Sequence, residues 1–197
     1  NTGCSPVTIT PVNNSSVPGC NNSNFYNWSV ISTNPQNCTT LGGPAVAPAN
    51  SNLATPNFNF TGPGVYTLQL ITGLNTAIAG NSCVNDTMAL TVTIKASPMV
   101  SITPPAPICA GASFTPVLTA NVCYGTPPIT YAWNFNPNNN IPLNSQPNPL
   151  TSNLQNPGAI TYPANGTFPF SVSATNECGT TTANSTIVVQ PGAIVTP

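Results

Sequence analysis

The chain contains an internal repeat, and the repeat fixes the size of the folding unit. Cys4 precedes Trp28 by 24 residues and Cys109 precedes Trp133 by the same 24, so the second pair follows the first by 105 residues. A period of this length corresponds to one small domain. The sequence therefore predicts two domains joined near Ala96–Pro98, at residues 1–96 and 97–191, followed by the start of a further strand at 192–197.

Each copy is patterned as β-strands. Tyr131, Trp133 and Phe135 occupy every second position and so face one side of a strand, and Tyr26 and Trp28 do the same in the first copy. We expect these aromatic side chains to lie in the domain cores. The abundance of Asn, Thr, Ser and Pro disfavours long helices. About seven short alternating runs per copy, with one Trp in an early-middle strand, predict an all-β fold of two immunoglobulin-like β-sandwiches in tandem.

Only three residues carry a formal charge, Asp86, Lys95 and Glu177, and the chain has no histidine. Acid-base catalysis and metal binding both need several titratable or ligating side chains at one point, and nucleic-acid binding needs many cations. We therefore predict a structural or binding protein that is not an enzyme, uses no metal or other cofactor and has no nucleic-acid partner. No run of 18 apolar residues is present, so we expect no membrane insertion.

The seven cysteines indicate the compartment. They form no C-x-x-C motif and have no histidine with which to bind a metal, so the sequence predicts disulfide bonds. Disulfides persist in oxidising environments. We expect an extracellular or cell-surface protein.

Several segments resemble a known family. The strand-turn-strand runs Ile160–Phe168 and Phe58–Tyr66, and the tryptophan strand Tyr131–Phe135, resemble polycystic-kidney-disease (PKD) repeats. The step Asn176–Gly179, with its flanking cysteines, is similar to the PKD-like repeats of very long bacterial surface proteins exported by the type IX route. The acidic turn that usually follows the tryptophan strand is replaced by Asn136–Asn139. The resemblance implies adhesins, filaments and stalks, and it specifies no ligand.

In a sandwich of this kind, cysteines that follow strands B and F lie at one end of the domain. The cysteine before strand B and one beyond strand C meet at the other end. Cys109 is then left without a partner in its own domain, either as a buried free thiol or as a bond to another domain or chain. The predicted disulfides are Cys4–Cys38, Cys20–Cys83 and Cys123–Cys178.

The two copies differ at their starts. The second copy has a full first strand, Met99–Thr103, before its first cysteine, whereas only three residues precede Cys4. Residues 191–197 resemble residues 98–104 and overshoot the second domain. Two explanations stay open: a window of a longer array, or a subunit that polymerises by donating a strand to the next copy. The donated residues would be Ala193, Ile194, Val195 and Thr196.

Modification signals are present but close to chance, because Asn, Ser and Thr are so abundant. Asp86-Thr87-Met88 resembles a short bacterial O-glycosylation motif. Attached glycans would help to keep so uncharged a surface dispersed. The Asn-x-Ser/Thr sequons begin at Asn13, Asn14, Asn21, Asn27, Asn37, Asn59, Asn85, Asn165 and Asn184.

The sequence predicts a non-catalytic structural or adhesive module of a cell-surface fibre, stalk or filament. Its expected partners are other domains or copies of the same protein and a surface ligand of unknown identity. A carbohydrate-binding accessory module is the alternative, although only Phe25 and Tyr124 are left outside the predicted cores. A Lys–Asn isopeptide crosslink is rejected, because Asp86 and Lys95 lie nine residues apart on one predicted strand.

Overall fold

The computed structural model describes residues 2–14, 24–35, 46–74, 85–121 and 129–192. The chain divides into two compact units, Asn1–Ala96 and Ser97–Pro197. Apart from one 3-10 turn at Leu143–Ser145, the regular elements of the described residues are β-strands. The protein is all-β and consists of two immunoglobulin-like sandwiches in tandem. None of its described residues forms a helix long and apolar enough to cross a membrane.

The first unit packs a five-stranded sheet, in the order β1-β8-β7-β3-β5, against a three-stranded sheet, β2-β6-β4. The long strands β3, β7 and β8 are antiparallel neighbours, whereas the short β1 runs parallel to the end of β8. The strands are β1 Thr2–Cys4, β2 Val7–Ile9, β3 Asn24–Pro35, β4 Val46–Ala47, β5 Asn50–Ser51, β6 Phe58–Phe60, β7 Gly64–Leu74 and β8 Asp86–Lys95.

The second unit repeats this plan with the sheet order β10-β17-β16-β13-β14. Its second layer consists of two strand pairs, β11-β15 and β12-β9. The strands are β9 Met99–Thr103, β10 Ile108–Cys109, β11 Ser113–Phe114, β12 Val117–Asn121, β13 Thr130–Asn134, β14 Thr151–Ser152, β15 Ile160–Thr161, β16 Gly166–Asn176 and β17 Gly179–Gln190.

The alternation of aromatic residues in the sequence places large side chains in both cores. Trp28 and Trp133 are buried, with 0% and 1% of their surface exposed, and Phe135 is fully buried. Tyr26 and Tyr131 are only partly buried and pack at the margins of the cores, so the expectation that they are core residues was too strong. Each lies near the beginning of its strand, towards the end of the sandwich, where the layer opposite gives less cover.

Each core is a cluster to which both layers contribute. Burying such side chains is the main favourable term in folding, at about 25 cal/mol per Å² of apolar surface. The first core contains Trp28, Phe58, Phe60, Tyr66, Leu68, Leu70, Val92 and Ile94. The second contains Phe114, Trp133, Phe135, Ile141, Ile160, Tyr162, Phe170, Val172, Ile187 and Val189.

Candidate functional site

The first unit carries an open groove of about 320 Å³ at one end of its sandwich. Its floor is formed by β7 and its sides by β8 and by the chain segment that follows β2. Residues 11–14 of that segment belong to no strand. The open groove is lined by Val12, Asn13, Asn14, Leu70, Thr72, Asp86 and Met88.

The groove exposes a side chain that the strand alternation directs inward. Met88 lies on the same face of β8 as Val92 and Ile94, which are fully buried. Nevertheless, 47% of the Met88 surface is exposed. Beside it on β7, Leu70 is only 2% exposed. The inner face of β8 is therefore more exposed to solvent near the beginning of the strand than near its end.

The second unit shows what covers this position in the other copy. Leu70 pairs with Met88 across β7 and β8, and Val172 pairs with Ala183 across β16 and β17. Both pairs lie six residues beyond the glycine that begins β7 or β16, so they are equivalent. Ala183 is partly buried and packs against the core. The equivalent position is thus closed in the second unit.

Strand β9 also belongs to the second unit. It packs against β17 and β16 and pairs antiparallel with β12. Ile102 of β9 contacts the core beside Leu118 of β12. No strand in the described part of the first unit takes the place of β9. With the 105-residue offset, Asn13 stands where the second unit has Leu118, so one wall of the groove is more polar than its counterpart.

The polar atoms around the groove bond locally. The hydroxyl of Thr72 donates to the carbonyl of Phe25 at 3.1 Å. The carboxylate of Asp86 accepts a hydrogen bond from the backbone N–H of Thr87 at 2.9 Å. Asp86 is the one charge that lines the groove, and it lies at the end of β8.

Only some of the cysteines in the predicted disulfide bonds are among the described residues. Cys4 and Cys178 are each disulfide-bonded. Their predicted partners, Cys38 and Cys123, lie outside the described residues, as do both members of the predicted Cys20–Cys83 pair, so all three pairings stay predictions. Cys109 is free and exposed at the end of β10, where it pairs with Gln190 of β17. The interpretation of Cys109 as a buried thiol is therefore wrong, because its side chain lies on the outer face of the strand.

The candidate glycosylation sites also differ in accessibility. Asn13 is partly buried in the open groove, and Asn21 and Asn37 lie outside the described residues. The exposed candidates are Asn14, Asn27, Asn59, Asn85, Thr87, Asn165 and Asn184.

The described residues give no support to a sugar-binding face or to an isopeptide crosslink. Phe25 is half-buried and Tyr124 lies outside the described residues, so the described chain offers no row of exposed aromatic rings for a sugar. Asp86 and Lys95 occupy opposite ends of β8, as predicted, and Glu177 lies in the β16–β17 turn of the second unit. Asp86 is therefore too far along β8 to serve as the acid beside Lys95.

The turn that follows the tryptophan strand of the second unit is held by asparagines. The backbone N–H of Asn136 donates to the side chain of Asn134 at 2.9 Å, and the N–H of Asn139 donates to the Asn136 carbonyl at 3.1 Å. Asn139 has a φ of 53°, which asparagine tolerates better than most residues. The turn therefore closes without a carboxylate.

The outer face of the second unit's main sheet is a hydroxyl surface. The hydroxyls of Ser173 and Thr182 lie 2.8 Å apart, and those of Thr175 and Thr180 lie 2.7 Å apart. Beside them is a shallow depression between β13, β14 and β16. Because these hydroxyls bond to one another across β16 and β17, the face is neutral and polar.

The chain matches no protein family model and no curated protein. It is similar to solved structures of tandem immunoglobulin domains. One is the four N-terminal immunoglobulin domains of a Dscam1 isoform, with 13% identity, a TM-score of 0.41 and coverage of 98% of this chain and 43% of that one. Another is an I-band fragment of titin, with 9% identity, a TM-score of 0.37 and coverage of 97% and 62%.

The structure of a surface layer protein is also among those similar to the chain. Domains 1–6 of the surface layer protein SbsC show 15% identity and a TM-score of 0.37, with 86% of this chain and 20% of that one covered. The chain spans less than two thirds of each of these three structures. At such identities the likeness concerns the fold alone.

Proposed function

We propose that the chain is a non-catalytic structural module of an extracellular fibre, stalk or filament, in which sandwich domains follow one another in series. Within this class we favour the PKD-like repeats of bacterial surface proteins exported by the type IX route. The module's role is to span distance and to present or build an adhesive structure outside the cell.

The observation that carries the proposal is the way in which one domain leads into the next. Strand β8 ends at Lys95, and β9, the first strand of the second unit, begins at Met99. The hydroxyl of Ser97 in this connection donates to the Cys178 carbonyl at 3.1 Å, within the second unit. Residues 191–197 repeat the sequence pattern of this connection after β17. A connection of this kind joins sandwich domains in series along one chain.

Two further features support an extracellular setting. Cys4 and Cys178 are disulfide-bonded, and disulfides are characteristic of oxidising compartments. The paired hydroxyls on β16 and β17 form a neutral polar surface that does not depend on charge for hydration. A module with this surface suits close packing beside identical neighbours, since no like charges would repel one another.

The proposal is tested on the native material. Antibodies raised against the 197-residue chain should label fibres or stalks on intact source cells, and competition with the purified chain should abolish the label. On reducing, denaturing gels with and without deglycosylation, we expect a band many times larger than 20.2 kDa. A label confined to the cell interior would refute the proposed function, and a 20.2 kDa band would refute a covalent array.

A further inference from the structure

We infer that the free edge of strand β17 pairs with the same edge of a second copy of this chain, antiparallel and about a two-fold axis at Asn184. The contact joins the main sheets of the two second units into one continuous sheet. The inference rests on the proposed function, because it names the contact through which two such modules lie side by side.

Strand β17 has a partner along the whole of one side and along only its end on the other. It pairs antiparallel with β16 from Gly179 to Val189. On its other side, among the described residues, only β10 pairs with it, at Val189 and Gln190. Strand β9 packs against β17 from the opposite layer and forms no ladder with it. An unpaired strand edge is a template for pairing with another chain.

The ladder identifies the backbone groups on the free side. The N–H of Ala110 donates to the carbonyl of Gln190 at 2.8 Å, so the backbone groups of Gln190 face β10. Successive residues of a strand direct these groups to alternate sides, and the register with β16 has no shift. Every second residue before Gln190 therefore faces the free side. These residues also have exposed side chains, and they are Thr180, Thr182, Asn184, Thr186 and Val188.

None of the usual devices protects this edge. Edge strands are commonly blunted by charge, by proline, by a bulge or by shortness. Strand β17 is twelve residues long, contains no proline and no charged residue, and pairs with β16 without a bulge. The opposite edge of the same sheet, β14, is two residues long and follows Pro149. In the first unit, the corresponding strand β8 has Asp86 and Lys95 at its two ends. Strand β17 is therefore the edge that suits pairing.

A second copy is the partner that this edge fits. About a two-fold axis, each residue near the axis meets its own counterpart, so a charged side chain there would face a like charge. All five free-edge residues are uncharged. Those nearest the axis are asparagine and threonine, which can both donate and accept hydrogen bonds and so can bond to side chains of their own kind. The partner strand must itself be long, unpaired and rich in β-branched residues, and β17 of another copy is such a strand.

The register follows from the number of free groups. All five residues find partners only when the middle one, Asn184, lies on the axis. Thr182 is then opposite Thr186 of the second copy, and Thr180 is opposite Val188. Each such pair exchanges two hydrogen bonds, which gives about ten across the contact. Because a single strand edge buries little surface, we expect a weak, reversible dimer.

The test is sedimentation velocity of the full 197-residue chain over a range of concentrations. Asn184→Lys and Asn184→Glu should each weaken dimerisation at least about tenfold, because like charges then meet at the axis. An equimolar mixture of the two variants should restore it, because each lysine then faces a glutamate. The control pair is Ala132→Lys and Ala132→Glu. It places the same charges at an exposed position two strands from the edge of the same sheet and should leave the dimer unchanged.

Disulfide trapping tests the register and stays informative if a charged variant folds poorly. In a Cys109→Ser background with oxidised glutathione, Asn184→Cys should give a linked dimer. Opposite residues of a hydrogen-bonded pair have Cα atoms about 5.5 Å apart, which is within disulfide range. Thr182→Cys alone should not link, because its two copies lie four positions apart along the paired strands. Mixing it with Thr186→Cys should give the linked dimer.

Each outcome decides between the ideas. A chain that stays monomeric up to its solubility limit and gives no linked dimer overturns the inference. Association that neither charged variant at position 184 weakens also overturns it, because another surface would then be in contact. If native fibres are labelled in either case, the proposed function stands without this lateral contact. A dimer linked through position 184, with antibody label confined to the cell interior, would leave the strand pairing correct and the proposed function wrong.

Discussion

The two units contain an equivalent pair of packed aromatic rings, but the tyrosine of the pair occupies a different position in each unit. Phe60 and Tyr66 form a ring pair in the first unit, with centroids 4.8 Å apart, and Tyr162 and Phe168 form the equivalent pair in the second, at 4.6 Å. The hydroxyl is on the second ring of the pair, Tyr66, in the first unit and on the first ring, Tyr162, in the second unit. Because each hydroxyl needs a buried acceptor, the exchange sends its hydrogen bond to a different part of the sandwich.

In the first unit the hydroxyl of Tyr66 donates to the carbonyl of Gly62 at 2.7 Å, four residues earlier. This resembles the tyrosine corner of immunoglobulin-like folds. Tyr66→Phe should lower the free energy of unfolding by about 1–2 kcal/mol, since a buried carbonyl loses its partner. Urea unfolding followed by Trp28 fluorescence measures this. Tyr26→Phe, at a partly buried position in the same unit, is the control, and an equal loss in both variants would contradict the role of the bond.

In the second unit the hydroxyl of Tyr162 donates to the carbonyl of Phe135 at 2.9 Å, and burial raises the pKa of Tyr162. A raised pKa means that folding favours the protonated phenol. The stabilisation is therefore complete below the unfolded pKa of about 10 and is lost as pH rises above it. Urea unfolding at increasing alkaline pH should show a falling stability of the second unit. Tyr162→Phe should flatten this dependence, and an unchanged slope would exclude Tyr162 as its source.

At the scale of strands, β9 contributes Ile102 to the margin of the second core. Ile102→Ala should destabilise the second unit by about 1–3 kcal/mol, because a partly buried side chain leaves the core surface that β9 covers. Ser101→Ala on the exposed face of the same strand should change stability little. Unfolding followed by Trp133 fluorescence compares the two. Equal effects would mean that β9 contributes through its backbone alone.

The strands could be predicted because alternation is local. Trp133 and Phe135 lie two positions apart, and the same alternation of Tyr26 and Trp28 predicts a strand where the structure has β3. The open groove could not be found in this way. Met88 has the alternation of a core residue, and its exposure depends on whether a strand from a distant part of the sequence covers it. The exposure of Cys109 likewise depends on which face of a two-residue strand it occupies.

The whole molecule has very few charged side chains, so charge interactions can contribute little to its stability. Asp86, Lys95 and Glu177 are its only formally charged side chains. Each sandwich is held together mainly by its apolar core and its backbone ladders.

This makes a prediction about salt. Surface ion pairs contribute about 0–1 kcal/mol each and are screened as ionic strength rises, but with three charged side chains there is almost nothing to screen. Between low and moderate sodium chloride concentrations we expect the free energy of unfolding to change by less than about 0.5 kcal/mol. Urea unfolding in matched buffers measures this, and sodium sulfate, which strengthens apolar burial, is the contrasting salt and should stabilise the protein. A strong response to sodium chloride would mean that one of the three charges lies in an interaction on which the fold depends.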